Sequence, residues 1–347
     1  MEIKRKESDF IVTVSPHVRS VETVPRIMWT VVVSLLPALL CGVYFFGLRV
    51  IFVTALCIVG ALFSEWFVEK LAGKPITIGD GSAFLSGLLL GLTMPVTVPF
   101  YIPLISSFIA VGITKQIFGG IGYNIFNPAL IGRAFALITW PRAMTSWVEP
   151  SKMFDLNNIG AAFSNIGMWL DGKTSATPLG ILKLEGIAKV FEPYAAKADL
   201  YMNLLIGQRA GSIGETSVIA ILIGALFLML RRYISWHIPV SYLATVGLFS
   251  WILGGKEGLF TGDALLHVLS GGLMLGAFFM ATDYVTSPSV KKGRLVFGFG
   301  CGILTVLIRL KAGYPEGVMF AILIMNCFAP LIDRNLKQKV FGLRKGK

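Results

Sequence analysis

The chain has 347 residues, of which 55% are hydrophobic and 14% charged, and its mean hydropathy is +0.74. That composition excludes an ordinary soluble domain, where about a quarter of the residues would be charged. The formal net charge of +12 does not indicate nucleic-acid binding, because Lys and Arg gather at the ends of apolar runs, where they set membrane orientation.

Segment 1–23 is polar to mixed and holds no apolar stretch of the kind that forms a cleavable signal, so the first span is expected to direct insertion itself. Ten candidate spans follow: Ile27–Phe46, Val50–Val68, Ser82–Met94, Phe100–Ile117, Ile125–Trp140, Ser217–Leu230, Ile234–Leu253, Leu265–Ala281, Leu295–Ile308 and Val318–Ile332. The third is short and runs into Pro95 and Pro99, which stop a helix, so it is expected to be a half-helix enclosed by its neighbours. The expected fold class is therefore an all-α polytopic membrane protein with about ten transmembrane helices.

Five spans precede a long loop and five follow it. The domain reading is 1–23 as an N-terminal segment, 24–140 as a first five-helix unit, 141–215 as a loop, 216–332 as a second five-helix unit and 333–347 as a basic tail. An even number of spans puts both termini on one face. In the short loops the basic residues fall mostly on that face, which predicts cytoplasmic termini and an extracytoplasmic loop 141–215. The halves echo each other. Leu85-Ser86-Gly87 through Gly91 resembles Leu269-Ser270-Gly271 through Gly276, and Phe126-Asn127-Pro128 with Arg133 resembles Phe328-Ala329-Pro330 with Arg334. Because five is odd, the second copy would be inverted: a five-plus-five inverted repeat. Small-residue helix packing would produce the first match without any repeat.

Cys41, Cys57, Cys301 and Cys327 stand singly in apolar spans, and His17, His237 and His267 have no ligand spacing, so no metal site is expected. Arg133 lies inside the fifth span, where a charge is costly unless paired. It is open to pairing with an intramembrane acid, to a structural ion pair, or to snorkelling toward the membrane surface. Glu65 is expected near the cytoplasmic membrane surface. In the loop, Asp171-Gly172-Lys173-Thr174-Ser175-Ala176-Thr177-Pro178 reads locally as a turn before a Pro-started element, with Thr177 an ordinary surface hydroxyl.

The string ending at Thr177 also resembles the S/T-G/S-A-T flavinylation motif of redox-driven ion pumps. With Asn127-Pro128-Ala129-Leu130-Ile131-Gly132-Arg133, Met280-Ala281-Thr282-Asp283 and Gly313-Tyr314-Pro315-Glu316-Gly317, in that order, residues 12–335 resemble the D subunits of Rnf complexes. These complexes are ion-translocating ferredoxin:NAD+ oxidoreductases, close to the B subunits of sodium-translocating NADH:quinone oxidoreductases. Tyr284 departs from the pattern, which has Pro after the Asp.

The resemblance implies a membrane flavoprotein subunit of a translocase complex in a prokaryotic cytoplasmic (inner) membrane, coupling ferredoxin/NAD+ electron transfer to Na+ or H+ movement. It implies FMN held covalently as a phosphoester at Thr177, with Asp171, Thr174, Ser175 and Arg133 as further cofactor-binding candidates, and a non-covalent riboflavin is compatible with it. Asp283 and Glu316 are its ion-path candidates, and no catalytic residue is assigned. The implied partners are the other membrane and peripheral subunits, among them an extracytoplasmic flavoprotein subunit, a flavin transferase for maturation, and membrane lipid. No G-x-G-x-x-G loop or cysteine cluster is present, in keeping with electron entry and exit on other subunits. The competing reading is a channel or secondary transporter built on inverted repeats.

Overall fold

Apolar runs in a lipid environment must satisfy every backbone group internally, and helices do so within one segment. A computed structural model describes residues 22–150, 176–194, 196–255 and 258–336, and among these there is no strand. The chain enters α1 (Val24–Phe46) through Pro25 in the first turn and leaves it at Gly47, whose φ of 77° is accessible to glycine. Next come α2 (Arg49–Leu71), α3 (Ser82–Leu92), α4 (Tyr101–Phe108) and α5 (Pro128–Thr139). Helix α4 continues as a π-helical stretch, Ile109–Gln116.

Short helices α6 (Pro141–Met144), α7 (Pro178–Leu184), α8 (Ile187–Phe191) and α9 (Lys197–Ile206) lie between the halves, followed by the 3-10 turn Ile213–Glu215. The second half contains α10 (Val218–Leu230), α11 (His237–Leu253), α12 (Ala264–Leu269), α13 (Leu273–Leu275, continuing as π helix through Gly276–Met280), α14 (Lys291–Lys311) and α15 (Val318–Asn335).

Four of these helices, α1, α2, α14 and α15, are long and apolar enough to cross a membrane. Four more, α3, α5, α10 and α11, are apolar but shorter. Large hydrophobic side chains such as Leu40, Phe63, Ile138, Leu226 and Leu230 face outward, as lipid-facing residues do. The chain is a polytopic helical membrane protein.

Helix α3 is the enclosed half-helix that the prolines predict: Leu88, Leu89, Leu90 and Leu92 are buried, and it ends two residues short of Met94. Its glycines allow the approach to α2. A Cβ at Gly87 would lie 2.7 Å from the Cα of Ile58, and one at Gly91 would lie 2.9 Å from the Cα of Thr54.

The expected continuous span Leu265–Ala281 is instead broken at Ser270–Gly272, where Gly271 has φ +70°. Helix α14 is longer than expected and takes Arg309 into its last turn. Helix α2 packs on α3 and α4, while α11 packs on α12 and α14; α1 lies against α10 and α5 against α15. Asn127 joins the halves directly. Its Oδ1 accepts from the N–H groups of Ala129 (3.0 Å) and Leu130 (3.4 Å), capping α5, and its Nδ2 donates to the Met280 carbonyl at 3.3 Å.

Gly87→Val forces α3 off α2 and is expected to cost about 1–3 kcal/mol, as overpacking a close contact usually does. Thermal unfolding in detergent checks this against Gly79→Ala, a position with nothing within 4 Å of its Cβ, which should melt like the wild type.

Candidate functional site

Thr177 is the N-cap of α7: its Oγ1 accepts from the Gly180 N–H at 3.1 Å, Pro178 opens the helix, and the residue is only 8% exposed. The sequence predicts a freely accessible loop hydroxyl; the described structure encloses it. Helix α7 is held by Leu179, buried at Gly271, and by Lys183, whose Nζ donates to the carbonyls of Ala312 and of Tyr314 (3.1 Å) in the loop that carries Glu316. Asp171, Thr174 and Ser175 lie outside the described residues.

Around Thr177 are five buried or nearly buried ionic groups. Arg133 of α5 donates to Glu316 at 2.5 Å, tying the first half to the loop before α15. Of the open readings for Arg133, the structure therefore contains the acid partner. Arg209 is 6% exposed; its Nη1 donates to the Leu269 carbonyl at 2.6 Å and its Nη2 to the Glu215 carbonyl. Arg309 donates from Nη1 to the His267 carbonyl (2.5 Å) and from Nη2 to the Ser270 carbonyl (3.1 Å). These two arginines thus take up carbonyls freed where α12 ends. The Oε1 of Glu215 accepts from the Ser212 N–H at 2.8 Å. The Nε atoms of Arg209 and Arg309 and the Oε2 of Glu215 are buried with no hydrogen-bond partner.

Burial pushes the Glu316 carboxyl above its ordinary range and Glu215 adds to this, while Arg133, Arg309 and Arg209 pull it back. Burial lowers the Arg209 guanidinium, opposed by Glu215 and Glu316.

Two cavities share lining residues here. Thr177, Arg209, Glu215, Gly271 and Glu316 line a small one. Pro178, Arg209 and Ala210 also line a larger one of about 520 Å³, whose walls include Phe45, Ile181, Tyr194, Leu200, Gln208 and Glu149. Ligand pockets of about 300–1,000 Å³ with apolar walls and a few polar groups are typical of cofactor sites.

Asp283 is elsewhere. It precedes α14 whereas Glu316 follows it, so a helix about 30 Å long separates them. The two ion-path candidates are not brought together. Asp283 accepts from the Thr286 hydroxyl at 3.1 Å and lines a cleft with Ser82, Lys115, Asn124, Asn127 and Thr282. Burial raises its carboxyl, opposed by that hydroxyl and by the Val285 and Tyr284 N–H groups. Tyr284 donates its hydroxyl to the Tyr233 carbonyl at 2.5 Å, bracing the turn where the motif departs from the expected pattern. Glu65 is enclosed by neighbouring side chains and accepts from Lys115 (2.5 Å) and Gln116 (2.7 Å). Lys115 also donates to Ser82.

Sequence reasoning missed Arg209, Glu215 and Arg309. Arg209 and Glu215 read as surface charges of a long loop and Arg309 as the basic end of a span. The available signal was Arg309 within one turn of an apolar run, a position that demands a partner.

A model of the NQR2, RnfD, RnfE family matches residues 11–342. The chain is 48% identical over 344 residues to the D subunit of the proton-translocating ferredoxin:NAD(+) oxidoreductase complex of Clostridium ljungdahlii, covering 99% of each chain. It is 40% identical over 341 residues to the D subunit of the Na(+)-translocating ferredoxin:NAD(+) oxidoreductase complex of Acetobacterium woodii, covering 98% of each. With the D subunit of the ion-translocating oxidoreductase complex of Stutzerimonas stutzeri it shares 40% identity over 332 residues, 92% of each.

Arg133→Met leaves Glu316 without its partner, and Glu316 is only 19% exposed. The expected loss is about 3 kcal/mol, the lower end for a broken buried pair, and Arg133→Met with Glu316→Met should recover most of it. Unfolding of the purified protein in detergent measures both; a double variant no better than the single would contradict the pairing energetics.

Proposed function

This chain belongs to the NQR2, RnfD, RnfE family, and we propose that it is a membrane subunit of an ion-translocating ferredoxin:NAD+ oxidoreductase complex that carries FMN as a phosphoester on Thr177. One observation carries the flavin assignment. Thr177 lines a small cavity that shares Pro178, Arg209 and Ala210 with a cavity of about 520 Å³, whose walls mix aromatic, aliphatic and polar side chains.

The residues present suit such a group. Phe45, Tyr194, Ile181 and Leu200 give an apolar lining for a planar ring, Gln208 and Glu149 offer hydrogen bonds, and Arg209 brings a buried positive charge. The flavin supplies the redox chemistry when attached, and the protein positions it and keeps water away. Helix α7, stapled by Lys183 and Leu179, fixes the attachment point to the second half. The burial of Thr177 implies that a flavin transferase meets this segment before α7 docks, or while it is lifted.

In this reading the termini are cytoplasmic and Thr177 is extracytoplasmic, facing a flavoprotein partner subunit and passing electrons toward the membrane subunits of the complex. Na+ or H+ movement is the coupled process. The parallel packing of α2 with α3 and α4, and of α11 with α12 and α14, supports the five-plus-five repeat. A non-covalent riboflavin is compatible with the family resemblance. The transporter reading draws on the broken α12–α13 element, because discontinuous helices at a repeat interface are how many transporters hold substrate.

Co-expression with a flavin transferase, followed by a denaturing gel under ultraviolet light, decides between them. The wild-type band should fluoresce, Thr177→Ala should be dark and Thr174→Ala should stay bright. A bright Thr177→Ala band moves the attachment elsewhere, and a dark wild-type band beside an active transferase favours the transporter.

A further inference from the structure

Three arginines (Arg133, Arg209 and Arg309) and two glutamates (Glu215 and Glu316) are gathered at the end of α12, all of them buried or nearly so. Among these five described groups, with every one ionised, positive charges outnumber negative ones by one, and Glu149 stands with Arg209 in the lining of the larger cavity. A buried charge is costly unless it is paired. Arg133 is taken by Glu316. Arg309 uses both terminal nitrogens at the helix break. Arg209 lines both cavities, and its Nε is buried without a partner although Nη1 and Nη2 are bonded to carbonyls.

Resting on the covalent-flavin reading, we propose that Arg209 is the seat of the phosphate attached at Thr177, a positioning residue that neutralises the diester and aims the flavin into the larger cavity. A phosphate esterified on two sides keeps one ionised oxygen, so it carries a single negative charge for Arg209 to neutralise. The small cavity, about 10 Å³, is too tight for a phosphate by itself. Arg209, Pro178 and Ala210 line the larger one as well, which puts the phosphate beside Arg209 on that side. Guanidinium suits the role better than ammonium, since its rigid planar edge offers directed donors to phosphate oxygens. Glu215 lines the small cavity too, and its Oε2 is buried without a partner. A carboxylate repels a phosphate oxygen, so it confines the phosphate to the Arg209 side.

The rival account makes Arg209 a structural cap for the carbonyls of Leu269 and Glu215 alone. The two differ in whether Arg209 matters more when flavin is attached. The full-length chain is expressed with and without flavin transferase as wild type, Arg209→Gln and Arg209→Lys, then melted in detergent. Attachment should raise the wild-type melting temperature by several degrees. Arg209→Gln should lose that gain while its denatured band stays as fluorescent as the wild type. Arg209→Lys keeps the charge and tests the same point on a milder variant; it should retain part of the gain. An unchanged gain in Arg209→Gln, or a gain lost as fully in Arg209→Lys as in Arg209→Gln, overturns the seat and leaves Arg209 structural. A dark Arg209→Gln band also overturns it, making Arg209 a determinant of attachment instead. A dark wild-type band is a different failure, because it removes the covalent flavin reading on which the seat depends.

Discussion

The arrangement around Thr177 depends on how one broken helix satisfies its backbone. Between Ser270 and Gly272 the chain leaves α-helical geometry, with Gly271 at φ +70°, and carbonyls that would have bonded along the helix lose those partners. In a hydrocarbon-depth environment each such group costs several kcal/mol if left alone. Arg209 and Arg309 supply the donors, to Leu269 and to His267 and Ser270. Two buried guanidinium groups bring charge, and charge requires compensation; Glu215 and Glu316 follow from that need. A local backbone choice therefore organises an ionic cluster.

The cluster also determines how the two halves meet. Glu316, drawn toward the arginines, receives Arg133 from α5, so the first half is clamped to the loop before α15. At the far end of α14, Asn127 performs the same function with neutral groups, through the Met280 carbonyl. Between these two points the contact between halves is largely apolar, including α1 against α10. Other polar contacts join them too, the Tyr233 hydroxyl donating to Glu22 at 2.5 Å and the Ile213 N–H to the Met94 carbonyl at 3.1 Å. Glu316 and Asn127 each line a cavity.

The two similar glycine-rich segments serve different ends. In α3 the glycines let two helices touch, with Gly87 and Gly91 against the backbone of α2, and the helix remains continuous. The segment from Leu269 carries an extra residue, and Gly271 takes a positive φ that breaks the helix. Similar composition gives tight packing once and an opened backbone once. The opened segment has the arginines to satisfy what it opens.

Membrane class, helical content, the start of α1 at Pro25, the Asn127 cap and the short enclosed α3 all follow from local sequence, because spans and caps depend on composition and near neighbours. Thr177 was identifiable for the same reason, as part of a contiguous string. Its burial, the enclosure of Glu65 by Lys115, the distance between Asp283 and Glu316, and the gathering of Arg209, Glu215 and Arg309 were not. Each depends on residues tens to hundreds of positions apart: Arg133 reaches Glu316 across 183 residues and Arg309 reaches His267 across 42. A charged residue near a span end looks the same in sequence whether it faces water or an opened helix. Sequence by itself determined what kind of protein this is and which hydroxyl to watch. Only the tertiary structure decided which charges surround that hydroxyl, because the partners of a buried ion are chosen by long-range packing.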